Sequence, residues 1–170
     1  MSRYDLSGKV LLITGAARGI GFETARIAHS RGASLTIVDL DEAQAKAAAG
    51  KLGDRAIGIG ANAVDADQMD AAVATTVEQL GRLDVVVANA GVTPPKTTTR
   101  AIAPEDWKRV VDVNVMGVWR TIRASLPQVI ENQGQAVLIA SSYAHVNGTL
   151  NSSYAVSKSA VEALGRGLSV

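Results

Sequence analysis

Short apolar runs alternate along the chain with longer segments in which apolar residues recur at spacings of three and four. The runs are Val10 to Thr14 (VLLIT), Ser34 to Asp39 (SLTIVD), Ala56 to Ala61 (AIGIGA), Asp84 to Ala88 (DVVVA) and Gln135 to Ala140 (QAVLIA). They are brief and rich in β-branched residues, as strands buried on both faces of a parallel sheet must be. Between them the period is helical. A helix after the first run places Ile20, Thr24, Ala25, Ile27 and Ala28 on one face. A second, Asp67 to Leu80, lines up Met69, Ala72, Val73, Thr76, Val77 and Leu80 and leaves Asp70, Thr75, Glu78 and Gln79 outside the stripe. A third, from about Pro104 to about Glu131, carries Trp107, Val110, Val111, Asn114, Val118, Thr121, Ile122, Ser125, Leu126 and Val129. Pro104 suits its first turn, and Pro127 is expected to kink or shorten it. Repeated strand–helix units of this kind predict an α/β fold: a doubly wound parallel sheet, Rossmann-like, with helices on both faces. No repeat or linker divides the 170 residues, so residues 1–170 are read as a single domain.

The longest irregular piece, Gly91 to Ala103 (GVTPPKTTTRAIA), holds a proline pair and a threonine run that neither a helix nor a central strand would accept. It is predicted to be a loop leaving the C-terminal end of the fourth strand, the end at which such sheets bind ligands.

Composition narrows the chemistry. Seventeen Lys+Arg stand against 16 Asp+Glu, a net charge of +1 with both signs interleaved, so there is no cationic stripe for a nucleic-acid backbone. There is no cysteine, and His29 and His145 are the only histidines, which excludes a disulfide framework and a zinc–thiolate centre. No metal site is expected. Met1 to Gly8 carries Asp5 and no apolar signal core, and no apolar stretch nears the roughly 18 residues of a membrane span. The expectation is a soluble, cytoplasmic protein without membrane partners.

The first run is followed by T-G-A-A-R-G-I-G, Thr14 to Gly21, which opens the first helix. Gly15 would allow a tight turn. Gly19 and Gly21 would let phosphate and sheet approach closely, and the free N–H groups and positive dipole end of the helix would hold a pyrophosphate. A glycine-rich turn also arises for steric reasons alone. Asp39 closes the second run 18 positions after Gly21, where a carboxylate accepts hydrogen bonds from ribose 2′- and 3′-hydroxyls. It would repel a 2′-phosphate, so NAD is favoured over NADP. Arg18 in the loop offers a phosphate counter-ion and keeps NADP open. The plainer alternatives are an N-cap for Asp39, serving a helix from Asp41 or Glu42, and a solvated cation for Arg18. Ile20 and Leu40, beside the loop and the carboxylate, complete this side of the cofactor-binding set.

The second constellation is Tyr154-Ala155-Val156-Ser157-Lys158. On a helix Tyr154 and Lys158 share a face, and an ammonium beside a phenol favours the phenolate, which forms unaided only near pH 10. Tyr154 would then serve as general acid/base. A surface helix pair is the commoner use of that spacing. Ser141 and Ser142 follow the fifth run, where a hydroxyl would hold a substrate oxygen. Asn114 lies on an apolar stripe, where an amide must find partners. Asn89-Ala90-Gly91 sits where the fourth strand leaves the sheet. Each has a structural alternative: a turn cap for the serines, a satisfied core amide for Asn114, turn chemistry for Asn89 to Gly91. His145, Val146, Asn147 and Leu150 are the local candidates for substrate contact, His145 first among them, or else simply build the loop.

Together these residues resemble the short-chain dehydrogenase/reductase family in its compact, non-extended branch, to which the spacing Gly15-x-x-x-Gly19-x-Gly21 is similar. The resemblance runs from Thr14 to Lys158. It implies adenine contacts at Asn62 and Ala63, in A-N-A-V-D. It matches Asn89-Ala90-Gly91 to the last three letters of the family's N-N-A-G, with Ala88 in place of the first Asn. It implies that Asn114, in N-V-M-G, holds a water relaying protons to the lysine, and that Ser141, thirteen residues before Tyr154, is the catalytic serine, with Ser142 second choice. The implied reaction is hydride transfer between NAD(H) and a small alcohol or ketone. Tyr154 would move the proton, Lys158 would grip the nicotinamide ribose, and Ser141 would orient the reacting oxygen. An NADP(H)-dependent reductase and a nucleotide-binding scaffold without catalysis are the alternatives. A homo-oligomer, dimer or tetramer, is implied, with the helices from Pro104 and Ser153 as interface elements. The family's chain continues with two more strands and a segment that closes over substrate. The C-terminal strands are thus missing here, the fifth strand would be an apolar edge, and the 170 residues alone are expected to be inactive.

Overall fold

The computed structural model describes residues 5–146 and 149–168. Five parallel strands, β1 (Val10–Thr14), β2 (Ser34–Asp39), β3 (Ala56–Gly60), β4 (Val85–Ala88) and β5 (Gln135–Leu138), form one sheet in the order β3-β2-β1-β4-β5. The chain leaves β1 toward β2 and β3 and returns on its other side as β4 and β5. The crevice between the C-terminal ends of β1 and β4 is therefore the topological switch point. Helices α1 (Gly19–Ser30), α2 (Glu42–Leu52), α3 (Ala66–Leu80), α4 (Pro104–Val111), α5 (Val118–Glu131) and α6 (Ser152–Gly167) cover the sheet.

Alternate strand residues feed two cores, as the pleat requires. Leu11, Ile13, Leu35, Ile37 and Val87 pack against Ala25 and Ala28 of α1 and Ala45, Ala48 and Ala49 of α2. Leu12, Val86 and Ala88 pack against Met69, Ala72 and Val73 of α3, Val118, Ile122 and Val129 of α5 and Val161 of α6.

The face expected of α1 is corrected. Gly21, Ala25 and Ala28 are buried, while Ile20 and Ile27 are 70% and 42% exposed. The helix meets the sheet too closely for large side chains: a Cβ on Gly21 would stand 2.7 Å from the Gly15 carbonyl oxygen and from Asn89 Nδ2. The long helix also differs from expectation. Its buried stripe is the predicted one, but one π-helical turn, Asp112–Gly117, separates α4 from α5. Pro127 does not end it, since α5 runs on to Glu131. Pro127 is exposed on the outer side, and buried Val129 anchors the turn beyond it.

Asp84 stands just outside β4 because its side chain is used to knit strands together. It is 1% exposed. It accepts from Lys9 Nζ at 2.8 Å, from the Val10 N–H at 3.0 Å and from both Arg82 Nε (2.8 Å) and an Arg82 terminal nitrogen (2.7 Å). Burial works against the carboxylate, but the Arg82 and Lys9 cations and the Val10 N–H outweigh it and hold its pKa below the ordinary value. Asp84→Ala is expected to cost about 2–4 kcal/mol in denaturant unfolding. Because the folded pKa lies below the unfolded one, this stabilisation is complete above the ordinary carboxylate range. It is lost as pH falls through the folded value, so the gap between wild type and variant should close in acid.

Candidate nucleotide cleft and active site

The nucleotide side is built on Thr14, the last residue of β1. Its hydroxyl accepts from the N–H groups of Asn89 and Ala90, both at 3.2 Å. Asn89 Nδ2 in turn donates to the carbonyls of Thr14 (2.8 Å) and Gly15 (3.0 Å). The Asn89 side chain is thus spent on clamping β4 to the glycine loop. Gly15 is required twice over: its φ is +63°, and a Cβ there would lie 2.9 Å from Ala90 Cα. Gly19, at φ +59°, starts α1, and a Cβ on it would project into open space.

The start of α1 has no side-chain cap and no acidic residue in its first turn. By contrast Asp41 caps α2 through the Gln44 N–H, and Asp65 caps α3 through the Gln68 N–H. Asp39 is therefore not a helix cap. Its Oδ2 accepts from the Ala17 N–H at 3.0 Å, which fastens the carboxylate to the glycine loop. Arg18, the residue before α1, is exposed.

These elements enclose a cleft of about 470 Å³ whose wall includes Gly15, Arg18, Ile20, Asp39, Leu40, Asn62, Ala63, Asn89, Ala90 and Gly91. Thr14, Val38, Ala61, Val92 and Val113 complete it and were not singled out by sequence. The signal for Val92 was its place directly after Asn89-Ala90-Gly91, and for Val113 its place beside Asn114. Gly21 sits against Gly15 and Asn89 beneath the cleft, and Gly19 lies between Arg18 and Ile20 of its wall. Asn62 makes a local turn, its Oδ1 accepting from the Val64 N–H at 3.1 Å.

The other side is carried by α6, which sets Tyr154 and Lys158 one turn apart. Lys158 is only 4% exposed. Its Nζ donates to the Ile139 carbonyl at 2.6 Å, just past β5, and lies 5.7 Å from the centroid of the Tyr154 ring. A Cβ on Gly91 would be 3.7 Å from this Nζ, so the ammonium sits behind the Gly91 wall of the cleft. Burial pushes the Lys158 pKa down. Tyr154 is half-buried and meets Tyr143 edge-on, with centroids 5.7 Å apart and planes at 79°.

Tyr143 belongs to a short 3₁₀ turn, Ser142–Ala144, capped by Ser141, whose Oγ accepts from the Tyr143 N–H at 3.3 Å. Ser141 is thus a cap, as one alternative held, and keeps its own proton free to donate. Ser142 is exposed. His145, the substrate candidate, is exposed and has a protein partner: Nε2 lies 2.9 Å from Glu162 Oε1, strapping the turn after β5 to the middle of α6. Val146 and Leu150 are exposed, and the Leu150 carbonyl accepts from the Thr97 N–H at 3.0 Å, tying the predicted loop to the turn before α6. Asn147 lies outside the described residues.

Asn114, in the π turn, is fully buried. Its Oδ1 accepts from the Val92 N–H at 2.8 Å, and its Nδ2 donates to the Val92 carbonyl at 2.9 Å and to Ser157 Oγ at 3.1 Å. Its side chain thus ties the exit of β4 to α6. Among the described residues no helix is long and apolar enough to cross a membrane, and no group of three or more His, Asp or Glu side chains gathers as a metal site.

A switch-point cleft walled by a glycine loop, with a carboxylate at the end of β2, marks an α/β protein of the doubly wound, Rossmann-like class. Residues 9–170 match the family model for the short chain dehydrogenase, and the chain belongs to that family. It is 32% identical to a short chain dehydrogenase/reductase of Aspergillus oryzae, a match covering 85% of this chain and 57% of that protein. It is 35% identical to the oxidoreductase UcpA of Salmonella typhimurium, over 97% of this chain and 64% of that one. The chain thus spans less than two thirds of the length of these relatives. The crystal structure of a 3-ketoacyl-(acyl-carrier-protein) reductase from Brucella melitensis complexed with NADH superposes with a TM-score of 0.90 at 35% identity, covering 96% of this chain and 70% of that one.

Proposed function

We propose that the intact protein is an oxidoreductase acting on an alcohol or ketone with NAD(H), and that Tyr154 is its general acid/base. The observation that carries this reading is the buried Lys158 ammonium, set between the Tyr154 ring and the Gly91 wall of the cleft. Beyond its bond to the Ile139 carbonyl this cation faces the Tyr154 ring, and no carboxylate pairs with it among the described residues.

The donor set suits a dinucleotide. The uncapped first turn of α1, the space over Gly19 and the Asp39 carboxylate are what a pyrophosphate and a ribose diol would engage. Ile20 and Leu40 offer apolar lips, Asn62 and Ala63 the adenine side, and Ala90, Gly91 and Lys158 the nicotinamide side. When bound, the nicotinamide would supply or accept the hydride. The Tyr154 hydroxyl would give its proton to a carbonyl oxygen or take one from an alcohol. Ser141, accepting from Tyr143, would donate to that same oxygen and orient it.

Asp39 disfavours a 2′-phosphate, whereas exposed Arg18 on the same cleft wall favours one. Titrating the intact protein with NADH and NADPH is expected to show NADH binding about tenfold tighter or more, since a carboxylate against a phosphate costs more than ~1.4 kcal/mol. Preference for NADPH overturns the role given to Asp39. Nicotinamide absorbance followed over secondary alcohols, sugars, hydroxysteroids and their ketones tests the reaction itself. Tight cofactor binding with no turnover on any of them would establish the scaffold alternative instead.

A further inference from the structure

We propose that Ser157 is a positioning residue that fixes Tyr154 relative to the cleft wall through Asn114. The proposal rests on the reading of Tyr154 as acid/base. Ser157 is fully buried on α6, between the two reactive positions in sequence. Its hydroxyl donates its one proton to the Tyr154 carbonyl at 2.7 Å and accepts from Asn114 Nδ2 at 3.1 Å. Asn114 grips both the N–H and the carbonyl of Val92, which lines the cleft directly after Gly91. Three separate segments therefore meet at one serine: the exit of β4, the π turn and the first turns of α6.

A serine within a helix ordinarily satisfies itself on the carbonyl three or four residues back, and that bond alone would mean nothing. What sets Ser157 apart is the amide aimed at it from another segment, whose remaining groups are locked on the cleft wall. The π turn is the local cost of that arrangement, since it carries Asn114 into the space between Val92 and Ser157. The span from Val92 to the Tyr154 backbone is consequently closed by hydrogen bonds at every step. With alanine at 157, one Asn114 N–H loses its acceptor in a buried place and the first turn of α6 is free to shift against Val92. A displacement near 1 Å at a proton donor lowers rate by about 10²-fold.

The test uses the intact protein and compares Ser157→Ala, Ser157→Thr, Asn114→Ala and the Asn114→Ala/Ser157→Ala double variant, reading kcat, KM for the carbonyl substrate and the NADH dissociation constant. Ser157→Ala is expected to lower kcat about tenfold to a hundredfold, with NADH binding unchanged, and Ser157→Thr, which keeps the hydroxyl, to restore it. Where the added methyl is not accommodated, the double-mutant cycle decides: losses in kcat well short of additive support the link. Unchanged kcat in Ser157→Ala, a folded threonine variant as slow as the alanine one, or strictly additive losses each overturn the proposal. A Tyr154→Phe protein that retained full activity would instead bring down the acid/base reading on which it rests.

Discussion

Replacing Tyr154 by phenylalanine in the intact protein is expected to lower kcat by about 10²- to 10⁴-fold, with NADH binding retained. The substitution is clean because the ring, not the hydroxyl, makes the packing contacts. The edge-on approach to Tyr143 and the position of the Lys158 ammonium 5.7 Å from the ring centroid both survive in a phenyl group. α6 also keeps its length, since the Ser157 bond goes to the Tyr154 backbone carbonyl. What disappears is the group able to exchange a proton with a substrate oxygen. Steady-state rates beside a cofactor titration separate the outcomes. Loss of rate with intact binding fits proton transfer by Tyr154. Full retention of rate would mean that another hydroxyl does the work, and Ser141, whose proton is uncommitted, is then the group to remove next.

What could be read from sequence follows the range of the interactions concerned. β1 and β2 begin and end at the expected residues because a strand buried on both faces declares itself by composition alone. The spacing of Tyr154 and Lys158 was legible for the same reason, being a property of one helix. The face of α1 was misread because large aliphatic residues were taken as the inward ones. Contact with the sheet here selects for absence of volume at Gly21, Ala25 and Ala28, and Ile20 is left at the lip of the cleft.

The polar partners were hidden more deeply. Asn89 bonds to residues 74 and 75 positions away, Asn114 to one 22 positions away, and Lys158 to a carbonyl 19 positions away. No local period encodes such pairs; they depend on where β1, β4 and β5 end relative to one another. His145 is the clearest case. A lone histidine between Ser141 and Tyr154 carries no mark distinguishing a substrate contact from a strap to Glu162, since the deciding residue sits two turns further along α6.

The burial of Lys158 makes a second large effect measurable in two independent ways. Lys158→Met keeps an apolar stem of similar length and removes the charge set between the Tyr154 ring and the cleft wall, so kcat/KM is expected to fall by about 10²-fold. Stability should move the other way. Desolvation places the folded pKa of Lys158 below its ordinary value of 10.5. Between the folded value and 10.5 the unfolded chain binds more protons than the folded one, so wild-type stability rises with pH across that interval. Below it the full desolvation penalty is present in wild type and absent in the methionine variant. The variant's relative stability should therefore be greatest at neutral pH and shrink steadily as pH climbs toward 10.5, in denaturant titrations run side by side. A pH-independent difference would show that the ammonium is not desolvated in the folded protein. A desolvated cation beside Tyr154 would then be ruled out even if the activity of the variant were lost, because loss of rate alone does not distinguish a cation tuned by its surroundings from one that merely braces α6 against Ile139.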